Sequence, residues 1–331
     1  MSIEPVSVER TSRKPARLNL PHPNQNPTSP AGSGKPQAVQ VPGHGLKLRL
    51  WDHGGPGIPA LVLHGHLDTG RSFDALAEHC KPHLRCLCLD ARGHGESDWA
   101  SADAAYHTLD HLKDLAAVLR HLAGTPLAPE LLIGHSLGGV LALMAAATMP
   151  DSCRGLVLMD SLGAVAEEAE KQVERLALVL QSLERPKAPF RTAADAAAAV
   201  DRVRKNNPGL SHAGAWRMVR YALRPTQDGR VAFAFDPRLR GPVPVRYPTE
   251  AWCSMLAALN IPVLVLSAEF GFLQRLPDAS LRLKAIRELE HQQISRAHHH
   301  FHVDYPNETA QPIVDWVNAI SADSSKDIPN R

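Results

Sequence analysis

Two stretches of this sequence hold residue types that could act together on a carbonyl. The first is Gly134-His135-Ser136-Leu137-Gly138, a serine set between two close glycines. Leu131-Leu132-Ile133 enters it and an Ala/Leu/Met-rich run leaves it, the pattern of strand, tight turn and helix. Strand and helix backbones crowd the positions two before and two after a residue held on so sharp a turn, which is why glycines belong there. The helix that follows aims its N-terminal N–H groups at the serine, where they can stabilise an oxyanion. The second stretch is Ala297-His298-His299-His300-Phe301-His302-Val303-Asp304. A serine hydroxyl attacks only when a base takes its proton, and the base needs an acid to orient it. This histidine-dense turn offers the base. It also admits a metal reading, but metal sites usually bring carboxylates or cysteines at ligand spacing and consecutive histidines point apart, so no metal and no cofactor is expected.

Bulk composition narrows the class. The chain has 331 residues and a formal net charge of +2, which gives no electrostatic case for nucleic acid or an anionic membrane as partner. No run reaches the roughly 18 uncharged apolar residues of a membrane span. The start, Met1-Ser2-Ile3-Glu4-Pro5, has an early acid and no apolar core, so a secretory signal is not expected. Cys80, Cys86, Cys88, Cys153 and Cys253 are odd in number and several sit in apolar segments, which reads as reduced thiols in a cytoplasmic protein.

The elements that must position the two stretches follow from periodicity. Residues 1–36 are rich in Pro, Asn and Ser and poor in large apolar residues, and are expected to be a disordered tail. Strands at 46–51, 60–63, 84–89, 131–133 and 156–159 alternate with helices at 72–80, 109–122 and 137–148, which implies a mostly parallel sheet covered on both faces. On the 109–122 helix, Leu109, Leu112, Leu115, Val118, Leu119 and Leu122 form the apolar stripe. The alternation stops at 161–250, where segments 165–183, 193–205 and 213–223 read as helices of an inserted cap. The sheet resumes at 261–266, followed by a helix at 281–289, a short strand at 290–294 and a last helix at 309–320. The expected organisation is a core of 37–160 and 251–323, a cap of 161–250 and a tail of 324–331.

With these residues in view, the chain from about 38 to 322 resembles the α/β-hydrolase superfamily, and most closely the serine hydrolase-like proteins. His64-Gly65-His66-Leu67-Asp68, Ser72-Phe73-Asp74, Asp90-Ala91-Arg92-Gly93-His94-Gly95-Glu96-Ser97, the serine turn and Phe235-Asp236-Pro237-Arg238-Leu239 carry the likeness. The resemblance implies the α/β-hydrolase fold, a mostly parallel eight-stranded sheet with an inserted helical cap. It implies Ser136 as nucleophile and His299, seven residues before Pro306, as base. It implies an oxyanion hole from the backbone N–H groups of Leu137 and His66. Many relatives carry the acid after the strand at 261–266, but this chain reads Ser267-Ala268-Glu269-Phe270-Gly271 there. Other branches place it after the strand that follows the serine helix. Asp160 has that position, at a strand's C-terminal end, where open α/β sheets build sites. Asp160 is therefore the favoured acid and Glu269 the alternative.

The reading is a serine hydrolase that cleaves an ester, thioester or lactone of a small to medium apolar acyl substrate through a Ser-His-acid triad. Carbon–carbon bond hydrolysis, acyl transfer and a non-catalytic ligand receptor are the alternatives. The expected partner is a small acyl molecule, with a homodimer as a further option. His66, His135, Trp216 and Tyr221 are the candidate substrate contacts, and Val165, Leu176, Leu178, Val179 and Leu180 the candidate apolar underside of the cap.

Overall fold

The structure is a computed structural model that describes residues 35–184 and 192–324. The expected tails lie almost wholly outside the described residues, and the first strand opens at Gln37.

Strands and helices alternate through the first half as β1 (Gln37–Pro42), β2 (Lys47–Asp52), β3 (Ile58–Leu63), α1 (Asp74–Cys80), β4 (Leu84–Asp90), α2 (Thr108–Leu122), β5 (Leu131–His135), α3 (Leu137–Thr148) and β6 (Gly155–Met159). Then come α4 (Gln172–Leu183), β7 (Thr192–Ala193), α5 (Ala196–Asn206), α6 (His212–Val219), β8 (Leu223–Pro225), β9 (Val231–Phe233) and α7 (Thr249–Ala257). The chain closes with β10 (Val263–Phe270), α8 (Ala279–Ala285), β11 (Leu289–His298), α9 (Phe301–Asp304) and α10 (Pro306–Ser324).

Eight strands form one sheet in the order β1-β2-β4-β3-β5-β6-β10-β11. The pairs β1–β2 and β2–β4 are antiparallel and the other five are parallel. The central strands β3, β5 and β6 are apolar over most of their length because both faces are covered. Alternate residues go to opposite cores. Leu61, Leu63, Leu87, Leu89 and Leu132 join one core with α2, α3 and α7. Ala60, Val62, Cys86, Cys88, Leu131 and Ile133 join the other with α1 and α10. Burial pushes the Cys88 thiol well above its usual pKa, so it packs as an inert apolar residue. Among the described residues, no helix is long and apolar enough to cross a membrane.

Several expectations are corrected. Leu109 does not join the α2 stripe: it is 59% exposed while Leu115 is 2% exposed. It lies in the first turn of the helix. The 165–183 segment is not one helix, since residues 169–171 form a 3-10 turn and the α-helix opens only at Gln172. The insertion is not purely helical either: β7, β9 and β8 make a small antiparallel sheet, which carries its own core with α5 and α6. The predicted 281–289 helix stops at Ala285, and Leu289 instead opens the ten-residue β11. Pairing with β10 holds Leu289 and the residues after it in the strand.

The two leucines of α2 make a direct test. Leu115→Ala should cost about 2–5 kcal/mol in urea unfolding, because it empties a buried site. Leu109→Ala should cost less than about 0.5 kcal/mol.

Candidate active site

Ser136 sits between β5 and α3 with φ 51° and ψ −117°. A side chain in that region is strained, and the surroundings hold it. Its N–H donates to the Met159 carbonyl at 3.1 Å, and the Ser136 carbonyl accepts from Ser161 Oγ at 2.9 Å. The flanking glycines are there for space: a Cβ on Gly134 would lie 2.4 Å from the Gly138 carbonyl oxygen, and one on Gly138 would lie 2.1 Å from that of Leu63. Leu137 is the first residue of α3, so its N–H has no partner inside the helix.

β6 ends at Met159, and Asp160 turns off it with φ 46°. Its buried carboxylate accepts from the backbone N–H of Phe272 at 2.5 Å and of Leu273 at 3.2 Å. His299 Nδ1 lies 2.6 Å from Asp160 Oδ2, 139 residues away in the chain. A carboxylate only accepts, so Nδ1 carries the hydrogen and Nε2 keeps the lone pair. His299 is held from behind as well, since its carbonyl accepts from His135 Nε2 at 2.8 Å.

The loop after β3 closes on the serine from the other side. A Cβ on Gly65 would lie 3.3 Å from Ser136 Cβ. Two histidines fix this loop through assigned tautomers. His64 Nε2 accepts from Ala91 N–H at 3.0 Å, so its Nδ1 donates to the Gly65 carbonyl at 2.7 Å. His94 Nε2 accepts from Leu67 N–H at 3.2 Å, so its Nδ1 donates to the Arg92 carbonyl at 2.9 Å. Desolvation holds the buried His94 well below the usual imidazole pKa, which keeps it neutral for both bonds. Arg92 forms a buried two-pronged ion pair with Asp114 at 2.5 and 2.7 Å. Asp68 accepts from Thr69 N–H and Ser72 Oγ, within the same loop.

Ser136, Leu137, Thr108, Val140, Val165, Tyr247, Trp252 and Phe272 border a cavity of about 260 Å³. Phe272 links this cavity to the histidine, its ring centroid lying 6.1 Å from that of His299.

The other sequence candidates lie elsewhere. Glu269 does not meet His299: it is exposed and accepts from Arg296 N–H at 2.7 Å, where β11 passes through φ 58°. His135 is fully buried and does not border the cavity; it points behind the serine, because neighbouring strand side chains face opposite ways. Trp216 packs on the core of the insertion, and Tyr221 stacks on Arg71 at 3.7 Å, so neither borders the cavity. His66 is exposed beside the serine loop. The expected cap underside also fails in part. Leu176, Leu178 and Leu180 on α4 are exposed, and only Val165 of that group reaches the cavity. Phe272, Tyr247 and Trp252 carried no sequence signal, since each resembles ordinary core until the strands are assembled.

A family model described as alpha/beta hydrolase fold matches residues 53–306. The chain is 39% identical over 109 residues to the lipase LipV of Mycobacterium tuberculosis, a stretch that covers 32% of this chain and only 39% of that lipase. It is 24% identical over 303 residues to a serine hydrolase-like protein of Danio rerio, covering 87% of this chain and 90% of the relative. A solved structure of a hypothetical protein from Pseudomonas aeruginosa PAO1 superposes with a TM-score of 0.77 at 26% identity, over 87% of this chain and 100% of that one.

Proposed function

The chain belongs to the α/β-hydrolase fold family, and from that premise we propose that it is a serine hydrolase that cleaves an ester or thioester of an apolar acyl group. The observation that carries this reading is the 2.6 Å contact of His299 Nδ1 with Asp160 Oδ2, made at the same strand ends that present Ser136. Asp160 orients the imidazole and stabilises its protonated form, and Nε2 takes the Ser136 proton as the hydroxyl attacks the acyl carbon. The bond to the leaving oxygen or sulfur breaks, and the imidazolium returns the proton to it. Water then attacks the acyl-enzyme by the same route and releases the acid. The oxyanion is met by the N–H of Leu137 at the start of α3 and by that of His66 in the braced loop. A site lined by backbone N–H groups stabilises negative charge that grows in the transition state, with little reorganisation.

The cavity speaks for the acyl side. Its volume of about 260 Å³ and its Val140, Val165, Val245 and Phe272 walls accommodate an aliphatic chain. Over a p-nitrophenyl ester series, kcat/KM should rise from acetate to a medium chain by about tenfold or more, since each buried methylene is worth about 0.8 kcal/mol. A series in which acetate is the best substrate contradicts the assignment of this cavity.

A further inference from the structure

Behind the serine lies a second group of histidines that the hydrolytic reading does not use. His135, His300 and His302 each bring one ring nitrogen within 4.8 Å of the other two. Their rings close on one another, with centroids 4.4 Å apart for His135 and His302, 5.3 Å for His135 and His300, and 6.1 Å for His300 and His302.

Nδ1 of all three is buried and, among the described residues, has no hydrogen-bond partner. The other nitrogen is engaged every time. His135 Nε2 meets the His299 carbonyl at 2.8 Å; His302 Nε2 meets Ser72 Oγ at 3.4 Å, a hydroxyl whose own hydrogen goes to Asp68 Oδ2 or the Thr69 carbonyl, and Asp68 Oδ2 at 3.5 Å. His300 Nε2 meets Asn207 Oδ1 at 3.0 Å, and the same amide's Nδ2 donates to the Val203 carbonyl at 2.9 Å, which fixes the amide's direction. All of these partners accept. Each Nε2 therefore carries the hydrogen, and each Nδ1 is left as a lone pair. Three lone pairs cannot hydrogen-bond one another, and a buried acceptor left without a donor costs about 1–3 kcal/mol.

Such a set of nitrogens asks for a shared electropositive centre. A carboxylate, a carbonyl and a side-chain amide orienting the far nitrogen of each ring are the arrangement that metal-ligating histidines use. We propose that His135, His300 and His302 form a three-imidazole site for a divalent first-row transition cation, with Zn²⁺ the ion best suited to it. Three nitrogen ligands favour tetrahedral Zn²⁺, whose fourth position takes water or a small anion. Zn–N bonds of about 2.0–2.1 Å set the nitrogens about 3.4 Å apart, so binding draws the rings inward by about an ångström. Of the three, His300 also stands in the wall of a cavity of about 540 Å³, with Asn207, His298 and His299. The bound ion joins the strand residue before Ser136 to the loop that holds His299, and so steadies the serine and its base relative to each other.

The test uses untagged, full-length protein stripped with a chelator, dialysed against ZnCl₂ and analysed for metal. The expected result is about one Zn²⁺ per chain, with a rise in thermal midpoint at saturation. His300→Ala should weaken binding by about tenfold or more and abolish that rise. His302→Ala should do the same. It is the more disruptive change because His302 is fully buried, so the half-buried His300 is the deciding position. His298→Ala and Cys253→Ser should bind as the parent does. Ser136→Ala should also bind as the parent does, which separates this site from the hydrolytic one. Retention of less than about a fifth of an equivalent overturns the proposal. So does an affinity unchanged by His300→Ala, or one lost instead in His298→Ala or Cys253→Ser.

Discussion

Ser136→Ala is expected to lower kcat on a medium-chain p-nitrophenyl ester by on the order of 10⁴-fold or more. The hydroxyl is the only group removed. The alanine keeps a Cβ at φ 51°, so the backbone strain and the packing of the turn are unchanged. The thermal midpoint should therefore stay within about two degrees of the parent's. The informative result is the pair of measurements: chemistry lost, fold kept. A variant that keeps more than about a tenth of the parent kcat means another group attacks the acyl carbon. An active-site fluorophosphonate probe gives the same answer independently, by labelling the parent and not the variant.

Asp160→Asn should lower kcat by about 10³–10⁴-fold, and Glu269→Gln should leave it within about threefold. The asparagine is nearly the same shape and can still accept from Phe272 or Leu273 through its oxygen. Its amide, however, donates toward His299 Nδ1 and favours the tautomer with hydrogen on Nε2. That tautomer cannot take the serine proton. Glu269 stands apart from this chain of contacts, its carboxylate spent on Arg296 N–H at the bend in β11. The two variants together distinguish the acids. Full activity in Asp160→Asn removes Asp160 from the role, and a large loss in Glu269→Gln assigns it to the other strand end.

Much of the architecture was legible because it depends on local pattern. All-apolar runs at 60–63, 131–133 and 156–159, too short for helices and set between turn signals and helical patterns, read as strands covered on both faces. The glycines around Ser136 mark a turn too tight for side chains. The errors fall where one pattern has two physical solutions. Leu109 has the right spacing for the α2 stripe, yet it stands exposed in the helix's first turn. Leu176, Leu178 and Leu180 are apolar at near-helical spacing, and nothing in that spacing says which way the face turns. Leu289 closes the run expected to be helical, and its pairing with Val263 holds it in a strand.

The site divides along the same line. By itself, the sequence determined that a serine would be presented between β5 and α3, because that depends on a few adjacent residues with no room for other types. It also determined that bases were available near the end of the chain. Only the tertiary structure shows which of Asp160 and Glu269 meets His299. Both follow sheet strands, and the difference lies in which carboxylate the N–H groups of Phe272 and Leu273 hold toward His299 Nδ1. The same holds for His135, His300 and His302, whose nitrogens are brought within 4.8 Å. Side-chain direction along β5 and the fold of the loop before α9 set that convergence, and neither is written in the spacing of histidines along the chain.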